Sequence, residues 1–147
     1  MVIDKKSLSP MEALILTVIG EARGEPIEGQ VAVAWIIKNR LLHSPSHYKD
    51  YDDVVFEPNQ FSCWTEELPF LTDIAEKMVI NDDKFVDKYL IQCAYVARGV
   101  DSNQIIDNTN GSLYYLENDL YNGPHRPKWA NTPRNVKVIG NQTFFLV

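Results

Sequence analysis

The sequence predicts an α+β fold, mainly helical, with a small β-sheet towards the C-terminus. Three observations carry this. Ser9-Pro10-Met11-Glu12 opens a helix in which Met11, Leu14, Ile15 and Val18 recur at helical spacing. Val31 through Ile37 is apolar nearly all round, as in a helix buried on most sides. Near the C-terminus the pattern changes to short β-type runs separated by turn residues.

Ser9 can cap the first helix, Pro10 suits its first position, and Glu12 completes a capping box. The helix is expected to run to Glu21 or Ala22, where Gly24 and Pro26 stop it. A second, central helix is expected from Ile27 or Glu28 to Leu42. Lys38, Asn39 and Arg40 mark its return to polar surroundings, and Ser44-Pro45 ends it. Residues 43–67 read as a long, mostly irregular segment, pinned by its aromatics, with Val54-Val55-Phe56 as a short strand. Two helices follow, Pro69–Ile80 and Asp83–Arg98. Asp82 or Asp83 can cap the second, and Gly99 can close it. Ser112–Leu116 reads as a strand, and Val136–Val147 as a hairpin turning at Gly140-Asn141.

The chain has 147 residues, so 1–147 is read as one domain, with 1–9 a short N-terminal lead-in. With 45% hydrophobic and 23% charged residues it matches a folded globular protein rather than a disordered one. Its net charge of −6 and the absence of a basic stripe argue against nucleic-acid binding. The apolar run Val31–Ile37 is far too short to span a membrane. Cys63 and Cys93 make no disulfide framework and read as reduced, partly buried thiols. No metal spacing is present, and His43, His47 and His125 read as surface or loop residues. Neither a phosphate loop nor a G-x-S-x-G elbow occurs.

Three groups could carry chemistry. The first is Glu21-Ala22-Arg23-Gly24-Glu25 at the end of the first helix. Glu21 follows Leu14 and Val18 on the apolar stripe. A carboxylate so placed loses water, and desolvation favours the protonated form that a general acid needs. Glu25 lies off the stripe. The same residues also read as a solvated helix end with a local ion pair. The second group is Asn59 through Trp64, where amides and a hydroxyl stand beside aromatics that can stack on sugar rings; a loop pinned by its aromatics explains it equally well. The third is Thr109 through Tyr115. Tyr114 and Tyr115 face opposite sides of a strand, one for the core and one for a cleft. Aromatics, at 11% of the chain, favour an uncharged or polyhydroxylated ligand over phosphates.

With these groups in hand, the chain resembles the SleB-type cell wall hydrolases, the catalytic modules of spore-cortex-lytic enzymes and of some phage lysins. The resemblance rests on Glu21–Pro26, Glu28–Ala34, Asn39-Arg40, Gln60-Phe61-Ser62, Asp107–Tyr115, Trp129, Ile139-Gly140-Asn141 and Phe144-Phe145. It implies a lysozyme-like fold and a lytic transglycosylase acting on the glycan strands of peptidoglycan. Such an enzyme cuts the bond between N-acetylmuramic acid and N-acetylglucosamine and leaves a 1,6-anhydro sugar. The family's catalytic glutamate falls on Glu21. Gln60, Phe61, Ser62, Tyr114, Tyr115, Arg23, Glu25 and Trp129 are the expected substrate contacts, and no cofactor or metal is expected. The chain departs from the pattern at Gln142, where many relatives have histidine, and at Leu116-Glu117-Asn118, where many have proline.

Two rivals stay open. A hydrolytic muramidase needs a second carboxylate, for which Glu25, Asp52, Asp53 and Glu57 are available. A non-catalytic peptidoglycan-binding protein of a phage or spore would keep the aromatics without needing Glu21. Met1–Pro10 has no apolar stretch of a secretion signal. A monomer made in the cytoplasm is therefore expected, reaching the wall or cortex with a holin, as a phage lysin, or with another delivery partner.

Overall fold

The computed structural model describes residues 4–66, 69–79 and 87–147. After a 3-10 turn at Lys5–Ser7, helix α1 spans Pro10–Ala22. Its capping box forms as the sequence predicts. Ser9 Oγ accepts from the Glu12 N–H at 3.1 Å, and Glu12 Oε1 accepts from the Ser9 N–H at 2.8 Å. Every residue from Ala13 to Ile19 is buried. Helix α2 spans Ile27–His43 and is buried from Gly29 through Lys38.

Lys38 corrects the expectation that polar surroundings resume there. It is only 8% exposed, and its ammonium donates to the carbonyls of Val100 and Asp101 and to Asn103 Oδ1 at 2.7–2.9 Å. A cation in that place satisfies carbonyls that a helix end leaves unpaired. The helix it closes is α6, Lys88–Asp101. The expected caps Asp82 and Asp83 lie outside the described residues. Asp87 caps α6 instead, accepting from the N–H groups of Tyr89 and Leu90. Gly99 lies inside this helix rather than ending it. Ile105 occupies the space that a Cβ on Gly99 would need, and the Ile105 carbonyl accepts from Trp35 Nε1 at 3.0 Å.

The segment read as irregular contains two short helices, α3 (Tyr51–Val55) and α4 (Ser62–Thr65). Val54 and Val55 are therefore helical, not strand. Local capping outweighs their β-propensity. Asp50 caps α3, while Asp53 Oδ2 accepts from the N–H groups of Lys49 and Asp50 at 2.7 and 3.2 Å. Helix α5 follows at Pro69–Val79.

The sheet is antiparallel in the order β1-β3-β2, from β1 (Tyr114–Glu117), β2 (Arg134–Ile139) and β3 (Gln142–Leu146). Short helix α7 (Asn118–Asn122) and a 3-10 turn (Lys128–Ala130) link β1 to β2. The β2–β3 turn falls at Gly140, whose φ of +58° suits glycine. β1 starts two residues later than expected because Ser112 belongs to a polar turn. Ser112 is hydrogen-bonded through both its N–H and its hydroxyl to Thr109.

Helix α2 is buried on most sides, as its sequence predicts, yet α1 shares the central place. It packs against α2, α3, α4, α5 and α6. Glu21 therefore leaves the core of the helical layer at the point where that layer meets β1.

Candidate active site

Glu21 stands in the last turn of α1, half-buried. Its Oε1 accepts from the Tyr115 hydroxyl at 2.7 Å. Its Oε2 accepts from the Cys63 N–H at 3.2 Å and from Ser62 Oγ at 3.3 Å. The donors come from α4 and β1, far away in sequence. Gly20 makes the α4 contact possible, since a Cβ there would lie 2.5 Å from Cys63 Cβ and 2.7 Å from Cys63 Sγ. The Cys63 amide is one of the first-turn N–H groups that a helix leaves unpaired. Burial, reinforced by the Glu21 charge, pushes the Tyr115 phenol and the Cys63 thiol well above their ordinary values. Tyr115 therefore stays protonated and keeps its donor.

Tyr115 packs against the core, as expected of one of the two tyrosines, yet it also faces the cleft with Tyr114. Both are half-buried and both line the cleft of about 920 Å³ that holds Glu21. Gln60, Ser62 and Trp129 line it as well. Trp129 is 52% exposed. Its ring stacks on Phe145 at 6.0 Å and tilts against Tyr114 at 5.4 Å, so one face of this aromatic wall is open. Aromatic faces of this kind suit the apolar faces of sugar rings.

Three expected contacts lie elsewhere. The Arg23 guanidinium sits 3.6 Å over the Phe70 ring. Glu25 Oε2 accepts from Asn141 Nδ2 at 3.0 Å and so ties the helix end to the β2–β3 turn. Phe61 is 1% exposed and belongs to the hydrophobic core. None of the three lines the cleft. Arg23 and Glu25 lie beside Glu21 in sequence and Phe61 lies between Gln60 and Ser62, but each turns its side chain to hold neighbouring structure.

Arg40 is a cleft residue that sequence reasoning did not single out. Its Nε donates to the Leu113 carbonyl at 2.8 Å and its Nη1 to Gln60 Oε1 at 3.4 Å, over the rings of Phe61 and Tyr114. Burial lowers its pKa from the ordinary value, and the nearby tyrosines offset part of that. Gln142, Glu66 and Glu117 also line the cleft. The sequence marked Arg40 only as a charged residue at the end of an otherwise apolar helix and as part of the resemblance at Asn39-Arg40, with no role. Asp107 was visible only as part of the longer resemblance. Its carboxylate accepts from Thr109 N and Oγ1, Asn39 Nδ2 and Gly111 N at 2.7–3.0 Å. Burial alone would raise its pKa, but these hydrogen bonds outweigh it and hold the carboxyl below the usual range.

Of the second carboxylates considered from sequence, Glu25, Asp53 and Glu57 hold neighbouring structure and none of the four lines the Glu21 cleft. Asp53 caps α3, and Glu57 accepts from the Tyr48 hydroxyl and pairs with His47 Nε2 at 3.2 Å. Those two hydrogen bonds hold Glu57 below the usual carboxylate range, while burial and Glu57 push Tyr48 up to about 12. Cys63 and Cys93 are both free and buried. Among the described residues, no group of three or more His, Cys, Asp or Glu side chains could hold a metal ion, and no helix is long and apolar enough to cross a membrane.

Comparison with known proteins gives this geometry a family. A family model described as Cell Wall Hydrolase matches residues 24–145, beginning three residues after Glu21. The spore cortex-lytic enzyme of Bacillus subtilis strain 168 is 48% identical over 138 residues, covering 94% of this chain and 38% of that protein. The Bacillus cereus spore cortex-lytic enzyme is 31% identical over 140 residues, covering 94% of this chain and 44% of that protein. The chain thus spans less than half the length of these relatives. Among solved structures, the catalytic domain of the germination-specific lytic transglycosylase SleB from Bacillus anthracis matches at a TM-score of 0.64 and 27% identity, covering 93% of both chains. The catalytic domain of Bacillus cereus SleB matches at 0.66 and 28%, covering 93% of this chain and 89% of that one. The lysozyme-like arrangement expected from the sequence is therefore the fold of this protein, and the chain belongs to the cell wall hydrolase family.

Proposed function

We propose that the chain cleaves the glycan strands of peptidoglycan as a lytic transglycosylase, with Glu21 as acid and then base. The observation that carries this reading is the set of three donors on Glu21, at the floor of a cleft with an open aromatic wall. The name of the Bacillus anthracis relative supports the reaction class.

The donors assign the two carboxyl oxygens different tasks. The Cys63 N–H can only donate, so Oε2 remains an acceptor in either protonation state. Oε1 is the oxygen left to carry the proton, and the Tyr115 hydroxyl beside it can rotate to suit. Oε1 gives its proton to the glycosidic oxygen as that bond to the muramic acid anomeric carbon breaks. The substrate's own acetamido group stabilises the positive charge that develops there. The Glu21 carboxylate then takes the proton of the sugar's 6-hydroxyl, whose oxygen attacks the anomeric carbon and closes the anhydro ring. No water is consumed. Gln60, Ser62 and Trp129 hold the sugars against the acid, with Arg40 fixing Gln60.

A muramidase is the second reading, because two exposed carboxylates, Glu66 and Glu117, share the cleft and were not weighed from sequence. Product analysis separates the two. Purified peptidoglycan is digested with the protein and with Glu21→Gln, and the fragments are weighed. Non-reducible ends one water lighter than free muramic acid are expected, and none from the variant. Reducible ends of full mass would move the assignment to a hydrolase using Glu66 or Glu117. No soluble product from vegetative or cortex peptidoglycan would overturn the enzymatic reading.

A further inference from the structure

Glu21 takes its three donors from two separate segments: Ser62 and Cys63 at the start of α4, and Tyr115 in β1. The C-terminal end of α2 touches both. There Asn39 Nδ2 donates to the Ser112 carbonyl at 3.1 Å and Arg40 Nε to the Leu113 carbonyl at 2.8 Å. Ser112 and Leu113 lead directly into β1, an edge strand paired on one side to β3. Arg40 Nη1 reaches the other segment, donating to Gln60 Oε1 at 3.4 Å. The guanidinium also lies 5.2 Å over the ring of Phe61, the N-cap residue of α4, and 5.7 Å over that of Tyr114. One side chain thus touches the residue before Ser62 and the residue before Tyr115. A planar fork of donors holds two such segments at a fixed spacing, which an ammonium on a flexible stem does less well. The spacing matters, because the Ser62 and Cys63 bonds to Glu21 are already 3.3 and 3.2 Å long and break on a small separation.

We propose that Arg40 is a positioning residue that fixes β1 against the start of α4 and so keeps all three donors on Glu21 at once. It acts on the acid through Tyr115, Ser62 and Cys63, and not by contact with the reacting atoms. Holding Gln60 is one half of this task, and holding the Leu113 carbonyl is the other. The proposal rests on the glycan-cleaving reading of the site.

The test measures steady-state kinetics on a soluble peptidoglycan fragment, and a thermal melt, for Arg40→Met and Arg40→Lys. Methionine keeps an unbranched stem over the two rings and removes every donor, whereas lysine keeps the charge without the fork. A fall in kcat of about 100-fold is expected for Arg40→Met, the cost of misplacing a reacting group by about 1 Å. Arg40→Lys should recover about tenfold of it, and KM should stay within about twofold of wild type in both. The loss should not multiply with that of the Tyr115 hydroxyl. Beside Tyr115→Phe, Arg40→Met should lower kcat only about tenfold further, the part carried through α4. If Arg40→Met does not fold, Arg40→Lys carries the same cycle, at about tenfold alone and about threefold beside Tyr115→Phe. A raised KM with unchanged kcat marks a substrate contact and overturns the proposal. So does a loss that multiplies in full with Tyr115→Phe. A lowered melting temperature with wild-type kcat per folded molecule marks a purely structural role and overturns it too. A wild type inactive on peptidoglycan overturns the reading of the site itself, and this proposal with it.

Discussion

Replacing Gly20 with alanine tests whether the close approach of α4 to α1 sets the geometry at Glu21. The new Cβ would lie 2.5 Å from Cys63 Cβ, 2.7 Å from Cys63 Sγ and 3.3 Å from Leu71 Cδ2. Non-bonded carbons pack at about 3.5–4.0 Å, so α4 must retreat by about 1 Å. The hydrogen bond from the Cys63 N–H to Glu21 is already 3.2 Å long, and that from Ser62 is 3.3 Å. Such a retreat breaks both. Two effects on stability oppose each other. Alanine gains about 1 kcal/mol over glycine in a helix interior, while overpacking a core costs about 1–3 kcal/mol. A net loss of about 1 kcal/mol is expected, which lowers the melting temperature by roughly 4 °C. Activity should fall further than stability, by about 100-fold, because the carboxylate loses its alignment. Clearing of a peptidoglycan suspension and a thermal melt measure both. Adding Cys63→Ala leaves the Cβ contact and should restore nothing, whereas adding Cys63→Gly removes it and should restore part of the activity. A Gly20→Ala protein with full activity and an unchanged melting temperature would refute the reasoning.

Tyr115→Phe removes the donor on Glu21 Oε1 but keeps the ring against Phe144 at 5.5 Å. It should lower kcat by about 10–100-fold with little change in KM or melting temperature, the loss of one hydrogen bond to a charged group; an unchanged kcat counts against the proposed role. Trp129→Ala strips the open aromatic wall and should raise KM roughly fivefold while sparing kcat, as steady-state kinetics on a soluble glycan fragment will show. Asp107→Asn places an amide where four donors converge and should destabilise the fold by about 2 kcal/mol at neutral pH. The folded Asp107 carboxyl lies below its unfolded value, so its contribution is present above about pH 4 and is lost as pH falls through the folded pKa. Denaturant melts from pH 7 downward should therefore show a constant gap between wild type and variant to about pH 4 that closes below it; a gap that widens there would refute the assignment.

The sequence by itself determined the elements whose signals are local. The Ser9–Glu12 capping box started α1 within a residue, and the unbroken apolar run of α2 announced its burial. The Gly140-Asn141 turn fixed the hairpin. Glu21 was legible because an acid on an apolar stripe is a conflict that helical spacing exposes. Short elements were less legible. Val54 and Val55 read as strand until Asp50 and Asp53 capped them into a helix, and the cap that Asp87 gives α6 was not anticipated. The partners of Glu21 were decided only by tertiary structure. Tyr115 reaches it across 94 positions of sequence and Cys63 across 42, and the second contact depends on the missing Cβ of Gly20. The same packing sent Arg23 to Phe70, Glu25 to Asn141 and Phe61 into the core, and brought Arg40 and Gln142 into the cleft. Periodicity and capping act over a few residues and can be read along a chain. Which distant donor meets a carboxylate depends on how helices and sheet close on one another, and nothing local in the sequence encodes that contact.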